Sequence, residues 1–175
     1  ENGSFDTIQK FYDEVWIYGL PEIFDTVKEY AFPDRVRQKT YYCGYLKRPV
    51  AAATAGNGSL RGLVTTGGGG DGSAMIETYL ASLTMLTEEL AVSSTVVFGP
   101  QMASEKRSEI LDRYRAFPGV KFIDFEPDLT KLYAEADVVV SMAGYNTVCE
   151  LLSHKQNAVL VPRSEPVREQ LMRAR

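Results

Sequence analysis

From Arg61 to Val161 the chain alternates short apolar runs with helix-patterned segments, a rhythm that leaves few folds open. RGLVTT (residues 61–66), STVVF (94–98), VKFIDF (120–125), DVVVS (137–141) and AVLV (158–161) read as strands. Helical patterns fill residues 73–89, 104–117, 128–136 and 146–153, and a last one starts near Glu165. The strand segments are continuous rather than alternating, as suits a sheet covered on both faces. Short connections between strand and helix imply parallel pairing and right-handed crossovers. The expectation is an α/β fold with a doubly wound, parallel, five-stranded sheet. Counted from Arg61, its strands should lie in the order 3-2-1-4-5.

The first fifty residues follow another pattern. Residues 5–12 read as a helix, 15–18 (VWIY) as a strand and 21–30 as a helix with proline in its first turn. Residues 40–46 (TYYCGYL) are a further extended candidate, although two strands alone make no stable layer. Residues 47–60 (KRPVAAATAGNGSL) are rich in Ala, Gly and Pro and read as a linker or loop. The chain ends on REQLMRAR, within a helical pattern and without a capping signal. The expected organisation is therefore a piece of a larger protein. Residues 1–46 would be the tail of a preceding domain, and residues 61–175 a second domain cut at its C-terminus.

With 175 residues, 45% of them hydrophobic, the chain has material for a sizeable core. Its net charge of -4 supplies no global attraction for nucleic acid or an anionic membrane. Cys43 and Cys149 match no metal spacing and cannot staple a secreted scaffold, so a reducing, cytoplasmic setting is the default. No apolar run reaches the roughly 18 residues of a spanning helix, and the N-terminus lacks the features of a signal peptide.

Two stretches at strand ends are placed for chemistry. TTGGGGDGS (residues 65–73) follows the first strand of the series and opens a helix, where glycines permit close backbone approach and free N–H groups attract phosphate. It is not a P-loop, because no lysine follows the last glycine. A dinucleotide site is disfavoured because the second strand ends in Phe98-Gly99-Pro100 without an acid for ribose. A plain glycine turn remains open. The second stretch, VVVSMAGYNTVCELL (residues 138–152), passes from buried strand through Gly144 into a helix bearing Asn146, Thr147 and Glu150. Ligands of doubly wound sheets bind at this carboxyl edge. Thr147 to Glu150 also fits the capping box S/T-x-x-E, so spacing alone leaves Glu150 either as a cap or as a ligand for ribose hydroxyls.

ADVVVSMAGYNTVCELLSHKQNAVLVP followed by VREQLMRA resembles the C-terminal domain of family-28-type GT-B glycosyltransferases, among them the peptidoglycan lipid-intermediate N-acetylglucosaminyltransferases. TTGGGGDG is similar to the glycine loop of the same family, and the resemblance runs from about Arg61 to Arg175. It implies that Glu150 binds the ribose of a nucleotide sugar and that Gly144, Asn146 and Thr147 hold the diphosphate. By the same resemblance Phe125 and Glu126 flank the base, and Glu169 and Gln170 read sugar hydroxyls. Gly68, Gly69, Gly70 and Gly72 would border the phosphates and the acceptor side. Two departures stand out: Lys155-Gln156-Asn157 replaces a common Gly-Lys-Pro, and Glu169 stands where the best-known member has glutamine.

The implied function is transfer of a sugar, of hexosyl type, from a nucleoside diphosphate (UDP foremost) to an acceptor hydroxyl. The family's catalytic base lies in an N-terminal glycine-rich loop that this chain does not match, so the chain should bind donor and turn over poorly or not at all. No metal and no cofactor are expected, because helix dipole and backbone N–H groups can stabilise the leaving diphosphate. The implied partners are the donor and an acceptor of unspecified chemistry, with no nucleic acid and no membrane span. Peripheral membrane association of the full enzyme stays open. So do two alternatives: a nucleotide-sugar epimerase of the same architecture, and a non-catalytic nucleotide-sugar module acting with a partner subunit. Outside these motifs the residues read as structural. His154 in SHKQN reads as a solvated surface residue, Cys149 as a small core residue, and Arg163, Arg168, Arg173 and Arg175 mainly as the solvated face of the last helix.

Overall fold

β-branched residues crowd the strand segments, and their stiff side chains favour a pleated surface packed on both sides. In a computed structural model, which describes residues 3–52, 58–86, 92–163 and 169–174, they become β3 (Leu60–Thr65), β4 (Val92–Val97), β5 (Val120–Ile123), β6 (Val138–Ser141) and β7 (Ala158–Leu160). All pairings are parallel, and the sheet runs β5-β4-β3-β6-β7. That is the order 3-2-1-4-5 expected from the sequence. The switch point lies between β3 and β6, whose pairing aligns Gly62 with Val138 and Thr65 with Ser141.

Helices α4 (Ser73–Leu83), α5 (Ser104–Tyr114), α6 (Thr130–Glu135), α7 (Tyr145–His154) and α8 (Glu169–Arg173) complete this unit. Two clusters of side chains fill the two sides of the sheet. Ile76 and Leu80 of α4 and Ile110 of α5 pack with Val64 and Val96, while Tyr133 of α6 and Leu151 of α7 pack with Leu63, Val97 and Val139. Neighbouring residues of one strand thus serve opposite faces, the arrangement of a doubly wound sheet. Cys149 is buried in α7. At the amino edge the Asp137 carboxylate accepts from the Arg61 N–H at 2.8 Å and from its guanidinium at 2.7 Å, tying β3 to the start of β6.

Elements end earlier than periodicity suggests. α4 closes at Leu83, and the part of the expected helix within residues 87–89 lies outside the described residues. The same holds for residues 164–168, where the last helix was expected to begin. Residues 53–57 of the expected linker are likewise outside them. Described residues of that stretch are tied down: the Arg48 N–H donates to Ser153 Oγ at 2.9 Å, and Leu60 already belongs to β3.

The chain divides into two compact units, residues 1–46 and 47–174. In the first, α1 (Ser4–Phe11), α2 (Thr26–Glu29) and α3 (Asp34–Arg37) accompany a parallel pair of β1 (Val15–Ile17) and β2 (Thr40–Tyr42). Lys39 Nζ donates to the carbonyls of Ile8 (2.8 Å) and Gln9 (3.2 Å), capping α1. The helix expected over residues 21–30 is a correction. Residues 21–23 form a turn, and the helix starts only at Thr26, because Asp25 accepts from the Lys28 N–H at 3.1 Å as its N-cap. α3 has no counterpart among the elements expected from the sequence. Among the described residues no helix is long and apolar enough to cross a membrane.

Candidate functional site

β3 and β6 deliver their carboxyl ends side by side, and both then turn into loops of small residues. After β3 the chain runs through Gly67 to Gly72 into α4, and after β6 through Met142, Ala143 and Gly144 into α7. Between these loops lies a cleft of about 520 Å³, within the usual size of ligand pockets. Gly68, Gly69, Gly70, Gly144, Asn146, Thr147 and Gln170 all line it. These seven sequence-selected residues come from three separate stretches of the chain. Asp71 and Arg163 line it as well.

The glycines divide by the reason for their presence. Gly69 has φ +93°, and a methyl group there would stand 2.5 Å from the Phe98 carbonyl oxygen. At Gly72, which is not part of the lining, a methyl group would overlap the Thr66 side chain at 2.2 Å. Packing alone therefore demands glycine at both. The Gln101 N–H donates to the Gly68 carbonyl at 2.7 Å, fixing the loop against the turn after β4. Gly70 carries no such demand, since its nearest neighbour would be Gln101 Oε1 at 3.9 Å.

Gly144 is the N-cap of α7, with φ -63° and ψ 149°, and the Val148 N–H closes the first turn on its carbonyl at 3.0 Å. The capping-box reading is thereby overturned. Thr147 is the third residue inside the helix rather than its cap, and Glu150 lies a turn further on, out of reach of a cap N–H. Asn146 and Thr147 belong to the first turn, where a helix has no partners of its own for N–H groups and its dipole favours anions. Arg48 Nη2 donates to Asn146 Oδ1 at 2.8 Å.

Glu150 is not part of this lining, and its side chain lies beside Tyr133 of α6. Tyr133 there is fully buried, and its hydroxyl meets the Glu150 and Thr147 side chains without a hydrogen bond of normal geometry. Burial pushes the phenol pKa far up, and the neighbouring Glu150 carboxylate adds to it. The Tyr133 ring also packs on His154, centroid to centroid 5.5 Å. His154 is therefore half-buried against α6, with Nε2 enclosed, instead of a solvated surface residue.

The other selected residues stand apart from the lining. Phe125, 54% exposed, and Glu126 lie on the loop after β5, where Glu126 Oε1 accepts from the Asp128 N–H at 3.3 Å. Glu169 Oε2 accepts from Arg173 at 3.0 Å, while Gln170 Oε1 accepts from the Arg163 N–H at 3.1 Å. Of the last arginines, Arg173 differs from the expected solvated face, since it is largely enclosed and donates to the Ala143 carbonyl at 3.3 Å, whereas Arg163 is exposed and donates to Asp71 at 3.1 Å. Arg168 and Arg175 are outside the described residues. Sequence reasoning missed Arg48, Asp71, Gln101 and Tyr133. Only Asp71 had a local signal, as the one charge within the glycine run. Among the described residues no cluster of three or more His, Cys, Asp or Glu is placed to hold a metal ion.

This sheet, with its glycine loop and helix N-terminus at one edge, has the Rossmann-like fold of the C-terminal domain of GT-B glycosyltransferases. Residues 63–174 match the glycosyltransferase family 28 C-terminal domain, and the chain belongs to that family. Among solved structures it is similar to MurG of Acinetobacter baumannii, with TM-score 0.61 and 18% identity over 97% of this chain and 58% of that one. It is similar also to the glycosyltransferase SnogD from Streptomyces nogalater, with TM-score 0.53 and 17% identity over 86% of this chain and 39% of that one. The glycotransferase of kitacinnamycin gives TM-score 0.53 and 16% identity over 81% and 36%. The chain thus spans less than two thirds of each of these proteins. No curated protein sequence matches it.

Proposed function

We propose that this chain is the donor-binding part of a glycosyltransferase that moves a hexosyl group from a nucleoside diphosphate, UDP foremost, to an acceptor hydroxyl. The observation that carries the reading is the cleft itself. In a family-28 domain, the glycine loop and the first turn of α7 converge on one space at the carboxyl edge of the sheet. There the diphosphate lies against the backbone of Gly68 and Gly70 and accepts N–H groups from Asn146 and Thr147. As the glycosidic bond breaks, charge builds on the leaving phosphate, and the fixed dipoles of α7 are aimed where it appears. Glu150, a turn along the same helix, accepts the ribose hydroxyls, and Phe125 and Glu126 border the base beyond it. Gln170 offers its amide nitrogen to a sugar hydroxyl, with Glu169 beside it, and Gly72 holds the loop's far end on Thr66.

Residues 1–46 then form part of the acceptor-binding domain, residues 47–60 the connection and residues 61–175 the donor domain. A likeness to MurG that extends over 97% of the chain supports this division. The general base belongs to that acceptor domain, so the chain alone binds donor with little or no turnover. Unpaired Cys43 and Cys149 fit a cytoplasmic location.

Glu150→Gln tests the reading, because it keeps the side chain's shape and removes its charge. Loss of charge-assisted bonds should weaken UDP about ten- to hundredfold and leave 2′,3′-dideoxy-UDP almost unchanged. Equal affinities of the variant and the parent chain for UDP would remove Glu150 from the site.

A further inference from the structure

Asp71 and Arg163 close the cleft from opposite sides. Asp71 ends the glycine run after β3, and Arg163 follows Val161-Pro162 after β7, yet Arg163 Nη1 lies 3.1 Å from Asp71 Oδ2. Among the described lining residues these two are the charged side chains, and Arg48 stands behind Asn146 at 2.8 Å. A guanidinium would add charge-assisted bonds to those that backbone N–H groups offer a diphosphate, and the arginine that lines the space is already paired.

We propose that the pair is an exchangeable latch, in which Arg163 leaves Asp71 for the diphosphate of the donor. The proposal rests on the donor reading given above and adds a residue and a switch to it. Three features support exchange. Both side chains are nearly half exposed, 43% for Arg163 and 47% for Asp71, and an ion pair so wet is weakly held. Gln170 Oε1 accepts from the Arg163 N–H at 3.1 Å, so the backbone stays fixed while the guanidinium turns. A guanidinium also gains more from two phosphate oxygens than from the single carboxylate oxygen it holds here. Asp71 therefore opposes donor binding, chiefly because it occupies the arginine that the phosphates require. The pair ties Asp71 of the glycine loop to Arg163, and donor binding exchanges that tie for one to phosphate.

The test is a double-mutant cycle on this chain, titrated with UDP, inorganic pyrophosphate and uridine. Arg163→Ala should weaken UDP and pyrophosphate about tenfold or more, and leave uridine unchanged. Asp71→Asn should tighten both phosphate ligands about three- to tenfold, and most of that gain should vanish once Arg163 is also alanine. Melting temperatures within a few degrees of the parent would confirm that all variants are folded.

Unchanged or weaker binding by Asp71→Asn overturns the latch, as does a gain of equal size without Arg163, which is plain charge repulsion. UDP binding that responds to neither variant overturns the latch and leaves the donor reading standing. Pyrophosphate binding with the expected pattern, but without UDP binding, supports the latch and removes UDP as donor. Binding of neither overturns both.

Discussion

Gly69 and Gly99 lie back to back, so that a methyl group on Gly69 would stand 2.5 Å from the Phe98 carbonyl and one on Gly99 2.4 Å from the Gly67 carbonyl. Both have φ near +90°, which L side chains rarely adopt. The contact fixes the glycine loop against the turn after β4, and it separates glycines that serve the fold from those that serve a ligand. Gly69→Ala should cost about 1–3 kcal/mol of stability. Gly70→Ala meets neither a close neighbour nor a positive φ, so it should fold as the parent does and bind UDP several-fold more weakly. Chemical denaturation and a UDP titration on both variants check this. A stable Gly69→Ala variant would mean that the two loops are not locked together.

Tyr133 supplies the second prediction. Its raised pKa keeps the phenol neutral, with a proton to offer Glu150. Tyr133→Phe preserves the ring that packs on Leu151 and His154 and removes a buried hydroxyl lacking a well-formed bond. Stability should shift by about 1 kcal/mol or less, while UDP affinity should fall about two- to tenfold as Glu150 loses a fixed neighbour. Dideoxy-UDP should not notice the change. A large loss of stability with unaltered UDP affinity would make Tyr133 a core residue and nothing more.

At the opposite edge, hydrogen bonds from the Arg61 side chain and N–H hold the Asp137 carboxyl at about 2, below its ordinary 3.8. A depressed carboxylate contributes stability that is complete above the unfolded pKa and is lost as pH falls through the folded one. The chain should therefore lose stability as pH falls from about 4 towards 2. Asp137→Asn should start less stable at pH 6 and lose less across that window. Urea midpoints at pH 6, 4 and 3 measure it, and parallel curves for the two proteins would contradict the assignment.

The strand order was legible because Leu63, Val64, Val96, Val97 and Val139 sit in unbroken apolar runs, which only a doubly covered sheet uses. The first turn of α7 was ambiguous for a physical reason. The Thr147 to Glu150 spacing fits a capping box wherever it falls, and nothing in those four residues says that Tyr145 and Asn146 are already helical. Asp25 likewise outcompeted the Pro21 signal by capping α2 four residues later. The cleft was legible where glycines and a strand end mark it locally. Contacts such as Asp71 with Arg163, or Arg48 with Asn146, join residues about a hundred positions apart and leave no periodic trace.

On the donor-binding reading, the cleft between the glycine loop and α7 holds the donor's diphosphate. The most direct measurement is a backbone amide NMR titration of this chain with UDP. The claim requires the largest shifts at Gly68, Gly69 and Gly70 and at Gly144, Asn146 and Thr147, with smaller ones around Phe125. Shifts confined to the amino edge near Arg61 and Glu135, or none at millimolar UDP, would contradict it.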